Sequence, residues 1–132
     1  MMKNNQNIYM YLPRRLTEGE EKVSKKWIEL ARKTMDHEDE IQKSYYGSLD
    51  GMSGYLVLSN KKMIFVQEKG LLRKTYNLVL DVPYEKLGKV SPVSRYELAV
   101  IEADGEKHVF TTDIPVQVIG ESLKNLMEPK KD

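Results

Sequence analysis

The sequence predicts a mainly β domain of the α+β class, in which seven antiparallel strands roll into a barrel between two helices. Apolar residues repeat at helical spacing near both ends of the chain. Between residues 41 and 112 they repeat at every second position instead, and turn residues separate the short runs. The chain has 132 residues, which suits a single domain because two separate cores would each be small and marginal.

The first helix is predicted over residues 17–36. Thr17 and Glu20 match the capping box, in which each side chain satisfies a free backbone donor of the other residue. A stripe of residues at helical spacing follows, with Trp27 as the expected packing anchor. The stripe comprises Val23, Trp27, Leu30, Ala31, Thr34 and Met35. Residues 1–16 are expected to form a partly frayed arm, with a docking peptide as the alternative.

The acidic run at residues 36–40 separates this helix from the strands. It contains His37 among four carboxylates, a composition that raises the question of a metal site. Consecutive residues do not converge easily on one ion, and no second histidine lies nearby. The run is therefore predicted to be a solvated linker.

The strands begin at residue 41, and the first is expected to span residues 41–49. Asp50-Gly51 then predicts a tight hairpin, because both residues tolerate positive φ. The remaining strands are predicted at residues 55–58, 63–66, 76–82, 87–91, 96–100 and 107–112. Pro83 and Pro92 are expected to end two of them, since proline has no donor for a strand ladder. In the fourth strand, all the even-numbered apolar residues are expected on one buried face.

The second helix is predicted to start after Asp113 and Pro115 and to end before Pro129. Its apolar stripe consists of Val116, Ile119, Leu123, Leu126 and Met127. A single amphipathic helix after a rolled sheet is expected to close the open end of the barrel. Residues 129–132 are expected to form a loose tail.

Two segments resemble a known family. Residues 54–65 resemble the run in GRAM and bacterial PH-like domains in which a glycine opens an apolar strand, Thr-Asn forms the turn and a base precedes Leu-Ile-Phe. Serine, lysine and methionine replace the threonine, the arginine and the leucine here. Residues 82–90 resemble the proline-led segment that enters the fifth strand of those domains. The resemblance covers residues 41–128 and implies a PH-like domain with the first helix as an addition.

Catalysis is not expected from this sequence. No nucleophile stands beside a base, and no glycine-rich phosphate loop or zinc-protease motif occurs. His108 is expected to be a barrel-wall or edge residue, and the carboxylates of Asp104 and Glu106 to be solvated at a turn. No catalytic residue, cofactor or metal ligand is therefore predicted. The absence of cysteine suits a reducing, cytoplasmic location, and no segment approaches the about 20 apolar residues of a membrane span.

The resemblance also implies a binding end, formed by the loops at residues 48–53, 68–74 and 102–107. Basic residues in the first loop would favour lipid head groups, and this loop has none. The strongest contact candidate is therefore the tip of the 68–74 loop, where two leucines lie between bases. Its residues are Lys69, Leu71, Leu72, Arg73 and Lys74. In the alternative, one of the leucines folds back to cap the barrel.

The predicted function is that of a noncatalytic binding module. A protein partner or self-association ranks first, because rolled sheets leave strand edges that can pair with another chain. Peripheral binding to an anionic membrane through the 69–74 loop is the alternative. Nucleic acid is not expected as a partner, because the formal net charge is +1 and the basic stretch at residues 61–74 lacks the interleaved aromatic residues of a single-strand platform. No small-molecule substrate is identified.

Overall fold

The computed structural model describes residues 18–128, and the side chains from residue 26 onward. The elements are α1 (Glu18–Lys33), β1 (Ile41–Leu49), β2 (Met52–Ser59), β3 (Lys62–Lys69), β4 (Thr75–Pro83), β5 (Leu87–Ser94), β6 (Glu97–Glu102), β7 (Lys107–Thr111) and α2 (Val116–Met127). A short 3-10 turn at Tyr84–Lys86 joins β4 to β5. The predicted arm, the Thr17 cap and the tail lie outside the described residues.

All seven strands form one antiparallel sheet in the order β4-β3-β2-β1-β7-β6-β5, so β4 and β5 are its edges. The main core cluster draws residues from every strand and from α2, which requires the sheet to curl around it. Val116, Ile119 and Leu123 of α2 are buried in this cluster. The predicted fold class is confirmed, including the helix that closes the sheet after its last strand.

Helix α1 covers the opposite, outer face of the sheet. Trp27, Ile28 and Ala31 pack there against the outward side chains of β2 and β3, among them Ile64 and Val66. β2 and β3 are therefore buried on both faces over these segments, which explains why residues 56–58 and 63–66 are uninterrupted apolar runs. The helix ends at Lys33, three residues before the predicted end.

A β-bulge in β4 overturns the single buried face predicted for that strand. Val66 pairs with Leu78 and Phe65 with Leu80, so Val79 is the extra residue. Leu80 and its neighbour Val82 face the core, whereas Leu78 lies opposite the outward Val66. Leu78 and Val79 are 42% and 40% exposed, which leaves apolar surface on a sheet edge.

The predicted end of β5 at Pro92 is also wrong. The strand continues to Ser94, and Pro92 pairs with Leu98 of β6. Proline is tolerated at this position because β5 is an edge strand whose outward side needs no backbone donor.

The linker at residues 36–40 is not wholly solvated, contrary to the prediction. Asp39 is only 7% exposed, and its Oδ2 accepts a 2.8 Å hydrogen bond from the Ser59 hydroxyl. Ser59 Oγ in turn accepts hydrogen bonds from the backbone N–H groups of Lys61 and Lys62 at the β2–β3 turn. Lys61 Nζ also donates to Asp36 Oδ2 over 2.9 Å. The linker thus docks α1 onto the β2–β3 turn, because the buried carboxylate finds its partner there.

Candidate functional site

The β3–β4 turn is shaped by Gly70. Its φ is 101°, and a Cβ at this position would lie 2.1 Å from the carbonyl oxygen of Arg73. Only glycine fits such a backbone conformation with so close an approach. The last strand pair is Lys69 with Thr75, so the chain between them closes a tight loop with Leu71 and Leu72 at its tip.

The two leucines of this tip are fully exposed. The exposed fractions are 94% for Leu71 and 103% for Leu72. The alternative in which one of them folds back to cap the barrel is therefore wrong. Burial of a leucine side chain is worth about 1.5–3 kcal/mol. Within the fold neither leucine gains this free energy, and it is gained only when a partner covers them.

The bases around the tip differ in their pairing. Lys74 Nζ lies 3.6 Å from Glu68 Oε1, so this charge has a partner within the hairpin. Lys69 and Arg73 are exposed, and no carboxylate among the described residues lies within 4 Å of either. The leucines are thus flanked by two cations that carry uncompensated charge.

Glu68 anchors the base of the hairpin on the outer face of the sheet. Its carboxylate accepts hydrogen bonds from the hydroxyls of Tyr76, at 3.1 Å, and Tyr46, at 3.3 Å. Burial and the hydrogen bond to Glu68 raise the pKa of Tyr76 to about 12. Tyr55 lies beside Tyr46 and stacks on Trp27 of α1, with ring centroids 4.3 Å apart. The tip therefore projects from a hairpin whose base is held by α1 and by the partly buried carboxylate of Glu68.

The other two turns of the predicted binding end meet each other. Asp50 has a φ of 51°, as the predicted hairpin requires, and its Oδ1 accepts a 2.8 Å hydrogen bond from Val109 N of β7. The β1–β2 turn is thereby joined to the β6–β7 hairpin. The antiparallel pairing of β1 to β4 places the β3–β4 turn at the same end of the sheet as the β1–β2 turn. Among the described residues, no hydrogen bond joins it to the other two turns.

His108 lies where those two turns meet, and it is 8% exposed. Its Nδ1 is 2.8 Å from Asp50 Oδ2, and its Nε2 is 2.8 Å from Glu102 Oε2. Burial lowers the pKa of the imidazole, but the hydrogen bonds to Glu102 and Asp50 outweigh it and hold the pKa above its usual value. The predicted wall position of His108 is confirmed, whereas its carboxylate partners were not predicted. The only sequence signal for these carboxylate partners was that Glu102 and His108 lie on either side of one hairpin turn.

Neither described helix combines the length and the apolar composition that crossing a membrane requires.

No family model and no curated protein matches this chain. Among solved structures, it is similar to the C-terminal domain of an unknown protein from Leishmania infantum, with a TM-score of 0.54 and 11% sequence identity. The match covers 76% of this chain and 98% of that one. At this identity the likeness concerns the fold alone.

Proposed function

We propose that this chain is a noncatalytic PH-like binding module that docks reversibly on an anionic membrane surface through residues 69–74. The exposure of Leu71 and Leu72 at a supported hairpin tip carries the proposal. The tip is convex and projects beyond the last strand pair, so it suits insertion into a lipid surface. The uncompensated charges of Lys69 and Arg73 complement anionic head groups.

The expected strength follows from the same residues. Full burial of two leucines contributes about 3–6 kcal/mol. Two bases near an anionic surface add about 1 kcal/mol each. Before ordering costs, this sum is comparable to the free energy that corresponds to the association constant of about 10⁴ M⁻¹ for a single myristoyl chain. Docking by one copy is therefore weak and reversible.

The selectivity of the proposed docking is for surface charge rather than for one head group. The β1–β2 turn carries no base, and acidic residues surround His108 at the neighbouring turn. A stereospecific phosphate site would need several converging donors at these positions. The proposed membrane contact therefore depends on anionic lipid density and weakens with added salt.

Co-sedimentation with liposomes tests this proposal. The wild type is expected to pellet with vesicles that contain phosphatidylserine and to stay in solution with pure phosphatidylcholine. A Leu71→Ser, Leu72→Ser variant is expected to stay in solution with both. Val93→Ser is the matched control, because Val93 is an exposed apolar residue on another strand, and it is expected to pellet like the wild type. Equal, negligible pelleting of all three proteins would refute membrane docking.

Self-association is the second candidate function, and the β4 edge favours it. Leu78 and Val79 leave apolar surface beside backbone groups that no described strand pairs. Sedimentation velocity at several concentrations distinguishes the candidates. An oligomer that Leu78→Lys dissociates supports edge pairing, whereas a monomer that pellets with anionic vesicles supports membrane docking.

A further inference from the structure

A second group of side chains, remote in sequence from the β3–β4 tip, has the composition of a metal site. Glu102, Glu106 and His108 each offer one ligand atom, and the three atoms lie within 4.8 Å of one another. Three ligand atoms bound to one ion at about 2.1 Å lie roughly 3–3.5 Å apart. His108 Nε2 is 2.8 Å from Glu102 Oε2 and 3.9 Å from Glu106 Oε2. The first distance is slightly shorter than the spacing of bound ligand atoms, and the second is slightly longer.

Little movement is needed to bring the three atoms onto one ion. The side chain of Glu106 is 62% exposed, so it can rotate without disturbing the core. The backbone beneath it is fixed, because Glu102 N donates to Glu106 O over 2.8 Å and Gly105 N donates to Glu102 O over 2.8 Å. Two of the ligands thus lie at the ends of one tight turn, and the third lies two residues further along β7.

Asp50 orients the imidazole from a different hairpin. Its Oδ2 lies 2.8 Å from His108 Nδ1. Its Oδ1 and its backbone N–H are both bonded to Val109, which fixes the carboxylate in place. A metal-binding histidine commonly donates its second ring N–H to a carboxylate in this way. When Nδ1 carries its proton and donates it in a hydrogen bond to Asp50, the Nε2 lone pair is directed toward Glu102 and Glu106.

The charge of the cluster also favours a cation. Three carboxylates surround one imidazole, and among the described residues no lysine or arginine lies within 4 Å of them. Even a protonated imidazole leaves two of the three negative charges uncompensated. A divalent ion would neutralise this excess and replace the proton at Nε2.

We propose that Glu102, Glu106 and His108 bind a divalent first-row transition ion of the zinc class, with Asp50 as a positioning residue. The imidazole nitrogen selects this class over Mg²⁺ and Ca²⁺, which prefer oxygen ligands. Three protein ligands leave a further coordination position for solvent. The bound ion would tie the β6–β7 hairpin more firmly to the β1–β2 turn through the His108–Asp50 contact.

Isothermal titration calorimetry of the metal-stripped full chain with ZnCl₂ tests the site. We expect saturable binding of one Zn²⁺ per chain and no binding of MgCl₂ at the same concentration. Glu106→Gln, at an exposed position that spares the fold, should weaken the Zn²⁺ affinity at least tenfold. Asp50→Asn should weaken it about 10–100-fold, the usual effect of losing an orienting carboxylate.

Two matched controls separate this site from other acidic surfaces. Asp104→Asn lies on the same turn, and its amide oxygen can still accept the bond from Glu106 N, so its Zn²⁺ affinity should equal that of the wild type. His37→Gln removes the histidine of the acidic linker and should also have no effect. The proposal is overturned if Zn²⁺ gives no binding, if Mg²⁺ binds as well, if Glu106→Gln retains wild-type affinity, or if His37→Gln abolishes binding.

Discussion

Replacing Trp27 by alanine tests whether α1 is an integral part of this domain. Trp27 is 2% exposed, stacks on Tyr55 with an interplanar angle of 6° and packs against Val57, Ile64 and Val66. Truncation of a buried aromatic residue costs about 3–5 kcal/mol. A domain of this size has a total stability of about 5–15 kcal/mol, so Trp27→Ala removes a large share of it.

The assay is urea unfolding followed by far-ultraviolet circular dichroism, which does not depend on the fluorescence of the replaced residue. In thermal unfolding followed by the same signal, the melting temperature is expected to fall by roughly 10–20 °C. Trp27→Phe keeps a ring against Tyr55 and should lose less, and the exposed Val93→Ala should stay within about 0.5 kcal/mol of the wild type. A loss below about 1 kcal/mol for Trp27→Ala would refute the packing of α1 on the sheet.

Three further predictions follow from single contacts. Burial raises the pKa values of Tyr55 and Tyr84, and it raises that of Tyr76 to about 12. Because the unfolded chain loses these protons near pH 10, stability is full below about pH 10 and falls as the pH rises toward 12. Urea midpoints at pH 8 and pH 11 check this, and a Tyr76→Phe variant should show a smaller drop. Gly70→Ala should lower the unfolding free energy more than Gly105→Ala. Both glycines have positive φ, but a Cβ at Gly105 meets open space and adds only the backbone strain of about 1–2 kcal/mol; equal losses would contradict the close approach to Arg73. Ser59→Ala should cost about 1–3 kcal/mol in urea unfolding, because it leaves the buried Asp39 carboxylate without its hydroxyl donor. A neutral Ser59→Ala would place Asp39 in water instead.

The elements predicted well are those whose signals are local. Asp50 and Gly51 have the positive φ values expected of their hairpin, and α2 begins directly after Pro115 and runs over the predicted apolar stripe. Composition also identified the β3–β4 turn, where Leu71 and Leu72 are exposed; its role as a contact surface stays a prediction. Turn chemistry and amphipathic periodicity act over a few residues, so one sequence is enough to show them.

The features missed depend on how distant segments pair. The bulge at Val79 moves Leu78 to the outer face, and no residue of β4 marks it as a bulge in advance. His108 meets Asp50 only because β7 pairs with the end of β1, 58 residues earlier in the chain. Asp39 meets Ser59 because the start of β1 pairs with the end of β2, Ile41 with Ser59. In each case the register between strands determines the contact, and local sequence patterns do not show that register.

The most direct test of the proposed membrane docking measures the environment of the tip itself. The chain contains no cysteine, so a Leu72→Cys variant can carry a single environment-sensitive fluorophore, and a labelled Val118→Cys variant on the exposed side of α2 serves as the control. Vesicles with phosphatidylserine are expected to shift the emission of the label at residue 72 to the blue and to leave that at residue 118 unchanged. An unchanged spectrum at residue 72, at lipid concentrations where the wild-type protein pellets, would contradict insertion of this tip.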